Sequence, residues 1–414
     1  MVIVDLALRE QANTIIQKAI QAVLPDEAVV RALTGKTFPG RVLLVAAGKA
    51  AWQMAKAAKA CLGNRIEKGV VVTKYHHIKG DLENIACYEA GHPIPDENGF
   101  AATQAALDLT ADLTAEDTVL FLLSGGGSAL FEKPLIPGEE LQNITTQLLA
   151  CGADIVEINT IRKRLSAVKG GRFALHCAPA QVFSVVLSDV IGDPLDMIAS
   201  GPAYPDGSTC EQATAIVKKY NLQLSNGAME LLGQETPKEL PNVQTEVSGS
   251  VSQLCAAAAN ACKDLGYTPV ILTDRLCCEA REAGQYLADV LQSHRDSEKS
   301  LAFLAGGETV VKLTDSGLGG RNQELALAAA EGIRDLPGAA VFSVGSDGTD
   351  GPTDAAGGYV DYQTATALQE QGIVISQVLQ NNDAYHALQA VNGLVITGPT
   401  GTNVNDVAVA LLRR

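Results

Sequence analysis

An apolar strand that runs into a glycine loop decides the fold, because residues 118–130 read TVLFLLSGGGSAL. The first six residues have the continuous apolar character of a parallel strand buried on both faces of a sheet. Glycines directly after such a strand form a turn with exposed N–H groups, and serines add hydroxyls. We therefore predict a cradle for an oxyanion or phosphate, formed by Ser124, Gly125, Gly126, Gly127 and Ser128. A nucleophilic role for Ser124 is disfavoured because no G-x-S-x-G motif surrounds it.

The same pattern of an apolar strand followed by a turn recurs on both sides of this stretch. Residues 41–49 read RVLLVAAGK, and residues 181–189 read QVFSVVLSD. Ligands bind at the carboxyl ends of the strands in open α/β sheets, so we predict Lys49 at the mouth of a site. A solvated lysine in the first turn of a helix is the alternative. Asp189 ends its strand in the same way, which predicts a metal ligand or a general base.

A second set of strand-end glycine turns follows in the C-terminal half. Residues 301–308 read LAFLAGGE, residues 339–354 read AAVFSVGSDGTDGPTD, and GLGGRNQE occupies positions 317–324 between them. Arg321, at the entry to a predicted helix, can grip a carboxylate or phosphate in two places. The start of that helix offers unpaired N–H groups, so the combination suits an anion.

Carboxylates accompany these turns. Asp347, Asp350 and Asp354 provide the oxygen ligands that Mg²⁺ prefers, and Asp347 is the predicted metal ligand among them. Glu308 and Asn322 belong to the same motifs and are candidate contacts for substrate or phosphate.

The chain is long enough for two domains. It has 414 residues, of which 47% are hydrophobic. We predict an α/β fold with domains at residues 1–240 and 241–414, because strands and helices alternate and the polar stretch 234–243 contains two prolines. An amphipathic helix over residues 11–24 is expected to open the first domain. Two sets of strand-end loops imply a cleft between the domains.

Charge and cysteine content exclude several classes of protein. The formal net charge is -16, which argues against a nucleic-acid or anionic-membrane partner. An anionic ligand must then bind where cations or a metal reverse the local potential. The nine cysteines lack C-x-x-C pairs, so reduced thiols are expected rather than zinc. The N-terminal residues lack a basic signal region and no apolar run is long enough to span a bilayer, so we expect a cytoplasmic protein.

Two further features have alternative interpretations. Residues 161–172 read IRKRLSAVKGGR, a concentration of positive charge in an acidic chain. It is either a solvated helical face or, because the glycine pair ends the helix, a loop in which Lys169 and Arg172 contact phosphate or another domain. His92 is either a loop histidine that bonds to the backbone or a catalytic acid–base group.

Several motifs together resemble one enzyme family. These are SGGGSAL at 124–130, GDP at 192–194 with IASGP at 198–202, GGET at 306–309, GRNQE at 320–324, DGTDGPTD at 347–354 and GPTGTN at 398–403. In this order, across nearly the whole chain, they resemble the class II glycerate 2-kinases, whose C-terminal part is the MOFRL domain. Arg164 departs from the histidine expected in many members, which puts substrate detail in question.

The resemblance implies a Rossmann-like, three-layer N-terminal domain with a mostly parallel sheet, and a smaller C-terminal α/β domain. It also implies transfer of the γ-phosphoryl group of ATP to the 2-hydroxyl of D-glycerate, with Mg²⁺ as cofactor. Lys49 and Arg321 match the family's cleft lysine and arginine. Lys49, Arg321 and Asp189 are thus the catalytic candidates, and Asp189 and Asp347 the metal candidates. D-Glycerate and ATP are the expected partners, and a homodimer is left open.

Two other functions compete with this interpretation. An NAD(P)H-dependent reductase of hydroxypyruvate or tartronate semialdehyde needs a G-x-G-x-x-G fingerprint after a strand, but Leu130 and Asn322 occupy the third glycine position in the two nearest matches. A non-catalytic sensor of anionic metabolites keeps the glycine cradles and needs no metal.

Overall fold

The computed structural model describes residues 5–414, which divide into two compact units. We call residues Ala28–Ser248 the N-terminal unit. Residues 5–27 together with Gly249–Arg414 form the C-terminal unit. These bounds differ from the predicted division at residue 240, because the opening helix belongs to the C-terminal unit.

The elements have the following bounds. The helices are α1 Leu6–Ala22, α2 Pro25–Leu33, α3 Ala51–Leu62, α4 Glu97–Leu109, α5 Gly127–Leu130, α6 Gly138–Ala150, α7 Ile155–Arg164, α8 Arg172–Cys177, α9 Cys210–Tyr220, α10 Asn226–Leu232, α11 Val251–Asp264, α12 Ala280–Ser293, α13 Arg321–Ala329, α14 Thr364–Glu370, α15 Ile375–Gln380 and α16 Ala384–Ala390. The strands are β1 Val42–Ala47, β2 Ile66–Lys74, β3 Ile85–Ala90, β4 Thr118–Leu123, β5 Gln181–Leu187, β6 Val243–Gly249, β7 Thr268–Leu276, β8 Leu301–Gly307, β9 Ala339–Gly345, β10 Gly357–Asp361, β11 Leu394–Val395 and β12 Asp406–Leu412.

The sheet of the N-terminal unit has the strand order β3-β2-β1-β4-β5-β6. Strands β1 to β5 run parallel in this order, with Val42–Ala47 in register with Thr118–Leu123. The order reverses between β1 and β4, which makes this the topological switch point where open α/β sheets bind ligands. The loops after β1 and β4 therefore lie where this class of sheet binds ligands.

Both faces of this sheet are covered, which explains its continuous apolar strands. Val119, Phe121 and Leu123 of β4 face a core that includes residues of α4 and α8. Leu120 and Leu122 face the opposite core, which includes residues of α3. The predicted three-layer arrangement with a mostly parallel sheet is confirmed.

The sheet of the C-terminal unit is mixed, with the strand order β11-β10-β9-β12-β8-β7. Strand β12 is antiparallel to both β8 and β9, so these two strands run in the same direction on either side of it. Asp406, the first residue of β12, pairs with Gly307 at the end of β8 and with Gly345 at the end of β9. The two predicted glycine turns therefore flank Asp406.

Helix α1 packs on one face of this second sheet. Its residues Leu8, Ile15 and Ile16 share a core with residues of α11 and with Val407, Val409 and Leu411 of β12. The intervening Ala408, Ala410 and Leu412 face α12 and α13 on the other side. The sheet needs a cover on both faces, and α1 supplies part of one, which is why residues 5–27 separate from the N-terminal unit.

Several predicted bounds hold and several elements were missed. Residues 118–123 and 181–187 are strands with the predicted limits. Strands β6, β10 and β12 were not predicted, and the predicted connector at 234–243 leads directly into β6. Within residues 5–414, no helix combines the length and apolar character needed to cross a bilayer.

Candidate functional site

The loops after β1 and β4 are bonded to each other at the switch point. Lys49 N donates to the Gly125 carbonyl at 2.9 Å, and Ala50 N donates to Ser124 Oγ at 3.0 Å. Ser124 is 3% exposed. Its hydroxyl therefore ties the two loops together, and its burial argues against a direct contact with a ligand.

Two glycines of the loop after β4 are required by close approach. A methyl group at Gly125 would lie 2.3 Å from Asp189 Oδ2. Gly126 has φ +85°, and a methyl group there would lie 3.1 Å from His92 Nε2 and 3.2 Å from Lys49 Cγ. The predicted Lys49 and Asp189 are thus brought together around the predicted glycine loop, with His92 beside them.

Lys49 presents a cation at this point. Its backbone is held firmly, since its carbonyl accepts from Thr73 Oγ1 at 3.2 Å and contacts His77 Nδ1 at 3.0 Å. Its side chain is half-buried, and no hydrogen bond or ion pair of its ammonium is formed within residues 5–414. A positive charge without a counterion favours binding of an anion.

His92 does not form the backbone bond that one interpretation required. Its ring makes no hydrogen bond with the residues from Asp5 onward. Burial, together with the charge of Lys49, lowers the pKa of His92 from its ordinary value of 6.5. The imidazole is therefore neutral at pH 7 and retains a nitrogen that can accept a proton.

Gly127 and Ser128 begin the short helix α5. A methyl group at Gly127 would lie 2.7 Å from Ala199 Cβ, so this glycine allows close packing. Ser128 Oγ is 3.4 Å from Ser200 Oγ, which in turn donates to Asn159 Oδ1 at 2.8 Å. The IASGP motif therefore meets the glycine loop through this serine pair.

The basic run at 161–172 is buried rather than exposed. Lys169 and Arg164 are both 0% exposed. Arg164 donates to the carbonyls of Thr160 and Ser208 at 3.0 and 2.9 Å and forms an ion pair with Glu235 at 3.2 Å. The interpretation as a solvated helical face is therefore wrong for these two residues, and the burial of Lys169 leaves it no direct contact with a phosphate. Arg172, the other residue of the predicted loop, donates to the carbonyls of Arg164 and Ser166. The side chain of Arg164, the departure from the family pattern, is thus bonded entirely within the protein in the part of the chain that the structure describes.

In the C-terminal unit, Arg321 is held between two carboxylates. Its Nη1 donates to Glu308 at 2.8 Å, and its Nε and Nη2 donate to Asp406 at 2.5 and 3.1 Å. Burial opposes its charge, but the hydrogen bond and charge of Asp406 and the charge of Glu308 outweigh burial and raise the pKa of Arg321. The side chain is 33% exposed, so one side of the guanidinium still reaches solvent.

The start of α13 is not open to an anion, which corrects the prediction for this helix. The Asp350 carboxylate accepts from Asn322 N at 3.1 Å and from Gln323 N at 2.9 Å. Asn322 is 1% exposed, and its side chain bonds to Asp350 and Ser343. This corrects the interpretation of Asn322 as a substrate contact, because its polar atoms point into the protein.

The predicted metal ligands are less tightly gathered than a preformed metal cage requires. Asp347 Oδ1 accepts from Thr349 N at 2.9 Å and lies near Gly345, as does Asp406 Oδ1. Asp354 accepts from Tyr385 Oη at 2.8 Å. Among residues 5–414, no three His, Cys, Asp or Glu side chains are close enough to hold a metal ion. Mg²⁺ bound with a nucleotide needs one or two carboxylates, since phosphates and water supply the rest. Asp189 and Asp347 are each a candidate for one such carboxylate.

Two residues of the site were missed or given another role. Asp406 was not singled out, although it directly precedes the apolar run VAVALL, which is the signal of a strand. Asp350 was expected to offer an oxygen to Mg²⁺, whereas it caps α13.

Both parts of the chain match known proteins. A sequence profile described as a domain of unknown function, DUF4147, matches residues 11–233, and one described as the MOFRL family matches residues 301–406. A D-glycerate 2-kinase from Thermotoga maritima is 51% identical over 98% of this chain and 99% of its own. A crystal structure of a glycerate kinase from the same organism superposes with a TM-score of 0.94 at 50% identity, covering 98% of this chain and 99% of that one. An Agrobacterium vitis relative, 37% identical over 99% of this chain and 95% of its own, is named as a proposed hydroxypyruvate reductase.

Proposed function

The chain belongs to the glycerate 2-kinase family that carries a MOFRL domain, and we propose that it transfers the γ-phosphoryl group of ATP to the 2-hydroxyl of D-glycerate. Phosphoryl transfer depends on positioning and on positive charge near the moving group, with little covalent chemistry by the protein. The chain offers both features in its strand-end loops.

The observation that carries the proposal is the convergence at the switch point of the N-terminal unit. Lys49 lies against Gly126, and Asp189 lies against Gly125. The unpaired ammonium can stabilise negative charge on a phosphate, and the glycines let a phosphate approach the backbone closely. In a chain with a net charge of -16, this ammonium reverses the local potential and so favours an anionic ligand at the loop.

Mg²⁺ requires oxygen ligands, and the substrate hydroxyl requires a group that accepts its proton. Asp189 in the N-terminal unit and Asp347 in the C-terminal unit are each a candidate ligand for Mg²⁺, which would neutralise charge on the phosphates of ATP. Asp189 and His92 are the groups near Lys49 that can accept the proton of the substrate hydroxyl. Arg321 would bind the substrate carboxylate or the transferring phosphate through its exposed side.

Product analysis tests the reaction. The purified protein is incubated with ATP, Mg²⁺ and D-glycerate, and 2-phosphoglycerate is separated from 3-phosphoglycerate. We expect 2-phosphoglycerate and one ADP for each product molecule. Lys49→Ala is expected to lower kcat/KM by about 10²-fold, or roughly 2.7 kcal/mol of transition-state stabilisation. Formation of 3-phosphoglycerate would contradict the regiochemistry, and absence of ADP would contradict the kinase itself.

The relative named as a proposed hydroxypyruvate reductase favours a second candidate function, the reduction of hydroxypyruvate by NADH or NADPH. The same preparation should therefore be tested for oxidation of NADH and NADPH with hydroxypyruvate. Oxidation without ADP formation from ATP and glycerate would support the reductase.

We also propose a cytoplasmic location. All nine cysteines are free thiols in the part of the chain that the structure describes. Reduced thiols are typical of that compartment.

A further inference from the structure

Three charged side chains lie beneath the glycine loop of the N-terminal unit. Lys169 and Glu132 have fully buried side chains, and the Arg162 side chain is 14% exposed. We call Lys169, Arg162 and Glu132 the buried triad. Charged groups are almost never buried without a compensating arrangement, so the triad needs an explanation.

The two cations of the triad bond to the same loop carbonyl. Lys169 Nζ donates to the Ser128 carbonyl at 2.9 Å, and Arg162 Nη2 donates to it at 3.0 Å. Lys169 also donates to the carbonyls of Phe131 at 3.1 Å and Ala199 at 3.5 Å. The lysine therefore joins the glycine loop to the segment that follows Asp189.

The charges of the triad do not cancel. The Glu132 carboxylate lies 3.5 Å from Lys169 and 3.9 Å from Arg162, so two cations share one anion. Beside the neighbouring Gly170, Lys163 pairs with Asp206 at 3.1 Å and with Asp196 at 3.2 Å, and Arg164 pairs with Glu235 at 3.2 Å. The triad itself carries one net positive charge directly beneath the Ser128 carbonyl, shielded from water, where an effective dielectric constant well below that of water strengthens its field.

We propose that Lys169 is a positioning residue that favours nucleotide binding without contacting the nucleotide. It anchors the glycine loop from below and supplies the positive charge that draws the phosphates of ATP to the loop. The inference rests on the proposed kinase function, since it requires the loop after β4 to bind phosphate.

The burial of Lys169 determines the pH range in which affinity for ATP should change. Burial is the main cause that lowers the pKa of Lys169 to about 8, and Arg162 lowers it further, while Glu132 opposes both. Above this pH the ammonium loses its proton, the triad becomes neutral, and affinity for ATP should fall. At a distance of about 10 Å and an effective dielectric constant of about 20, one unit charge changes affinity on the order of tenfold.

Affinity for ATP in the presence of Mg²⁺, measured by isothermal titration calorimetry, tests the inference. Lys169→Met makes the triad neutral and should raise Kd about tenfold at pH 7. Glu132→Gln makes it doubly positive and should lower Kd or leave it unchanged. An unchanged Kd in Lys169→Met, or a raised Kd in Glu132→Gln, contradicts an effect of the charge. Such a result would overturn the inference.

A second measurement decides the case if either single variant fails to fold. The double variant Lys169→Met with Glu132→Gln leaves no unpaired buried carboxylate and should fold. Kd of the wild type should rise about tenfold between pH 7 and pH 9.5, and that of the double variant should not. Equal pH profiles would overturn the inference.

The control variant removes an ion pair elsewhere in the same unit. Arg41 and Asp117 pair at 2.8 Å just before β1 and β4, at the ends of these strands opposite the loops. Arg41→Met with Asp117→Asn should lower Tm and leave Kd for ATP unchanged. The proposed function fails separately, through absence of 2-phosphoglycerate from the wild type, whereas an active wild type with a pH-independent Kd contradicts only the role of Lys169.

Discussion

Asp350→Asn tests how the C-terminal unit builds the start of α13. The carboxylate of Asp350 accepts from the backbone N–H groups of Asn322 and Gln323 and from both of their side-chain amides, at 2.9 to 3.3 Å. The substitution replaces one acceptor oxygen by an NH₂ group, which faces donors instead of acceptors. Arg321 is the first residue of this helix.

The magnitude at pH 7 follows from these contacts. Loss of an N-cap acceptor costs about 1 kcal/mol. A buried N–H left without an acceptor costs about 1 to 3 kcal/mol more. Asp350 is 3% exposed, so water cannot replace the lost oxygen. We therefore expect Asp350→Asn to lower the free energy of unfolding by roughly 2 to 4 kcal/mol.

The pH dependence has a definite sign. Burial is the main cause that raises the pKa of Asp350 from 3.8 to about 6, the charge of Asp406 adds to it, and the donated hydrogen bonds oppose it. A carboxyl group with a raised pKa in the folded state binds a proton more tightly there, so its contribution to stability falls as pH rises through 6. Acidification from pH 7 to pH 5 should therefore stabilise the wild type by about 1.4 kcal/mol through this group.

Urea unfolding at pH 5 and pH 7, followed by circular dichroism, measures both effects. The asparagine variant lacks the titrating group, so its deficit should be about 1.4 kcal/mol larger at pH 5 than at pH 7. Asp154→Asn is the matched control, because Asp154 caps α7 from an exposed position. It should change the free energy of unfolding by less than about 0.5 kcal/mol at pH 7, since the asparagine oxygen can still accept from the Glu157 N–H. Equal deficits of Asp350→Asn at the two pH values would refute the buried-carboxylate argument.

Three further substitutions separate binding and catalysis from stability. Gly125→Ala should lower kcat/KM by about 10²-fold or more, since the added methyl group would displace Asp189, and unchanged kinetics would show that the close approach is not needed. Arg321→Ala should lower kcat/KM by at least about 10²-fold and should lower Tm as well, because buried Asp406 loses its partner; steady-state kinetics and thermal unfolding check the two effects. Asp347→Asn should abolish turnover in the kinase, whereas persistent turnover would remove this carboxylate from the mechanism.

Local pattern predicted the elements that carry the N-terminal loops. Residues 118–123 and 181–187 form strands with the predicted limits, because continuous apolar runs of strand length between turn residues have few other local solutions. Parallel strands of this kind end at one edge of a sheet, so the strand pattern alone predicts that Lys49, Asp189 and the glycines lie together. Their grouping is confirmed by the contacts around Gly125 and Gly126.

The local sequence pattern could not predict which charged side chains are buried. The basic run at 161–172 resembles a solvated surface, yet Lys169 is enclosed beneath the glycine loop. Its partner Glu132 is 37 positions away in the chain, and nothing in either local sequence reveals the other. Only packing brings the two together, because the stability of a buried ion depends on neighbours from several elements.

The sequence by itself determined two α/β regions, the strand-end glycine loops and the charged residues that follow them. The tertiary structure alone decided that α1 belongs with the C-terminal unit, that β12 separates β8 from β9, and that Arg321 pairs with Asp406, 85 positions away. The reason is physical. A turn and a strand depend on neighbouring residues, whereas strand order, ion pairing and burial depend on which distant surfaces the folded chain removes from water.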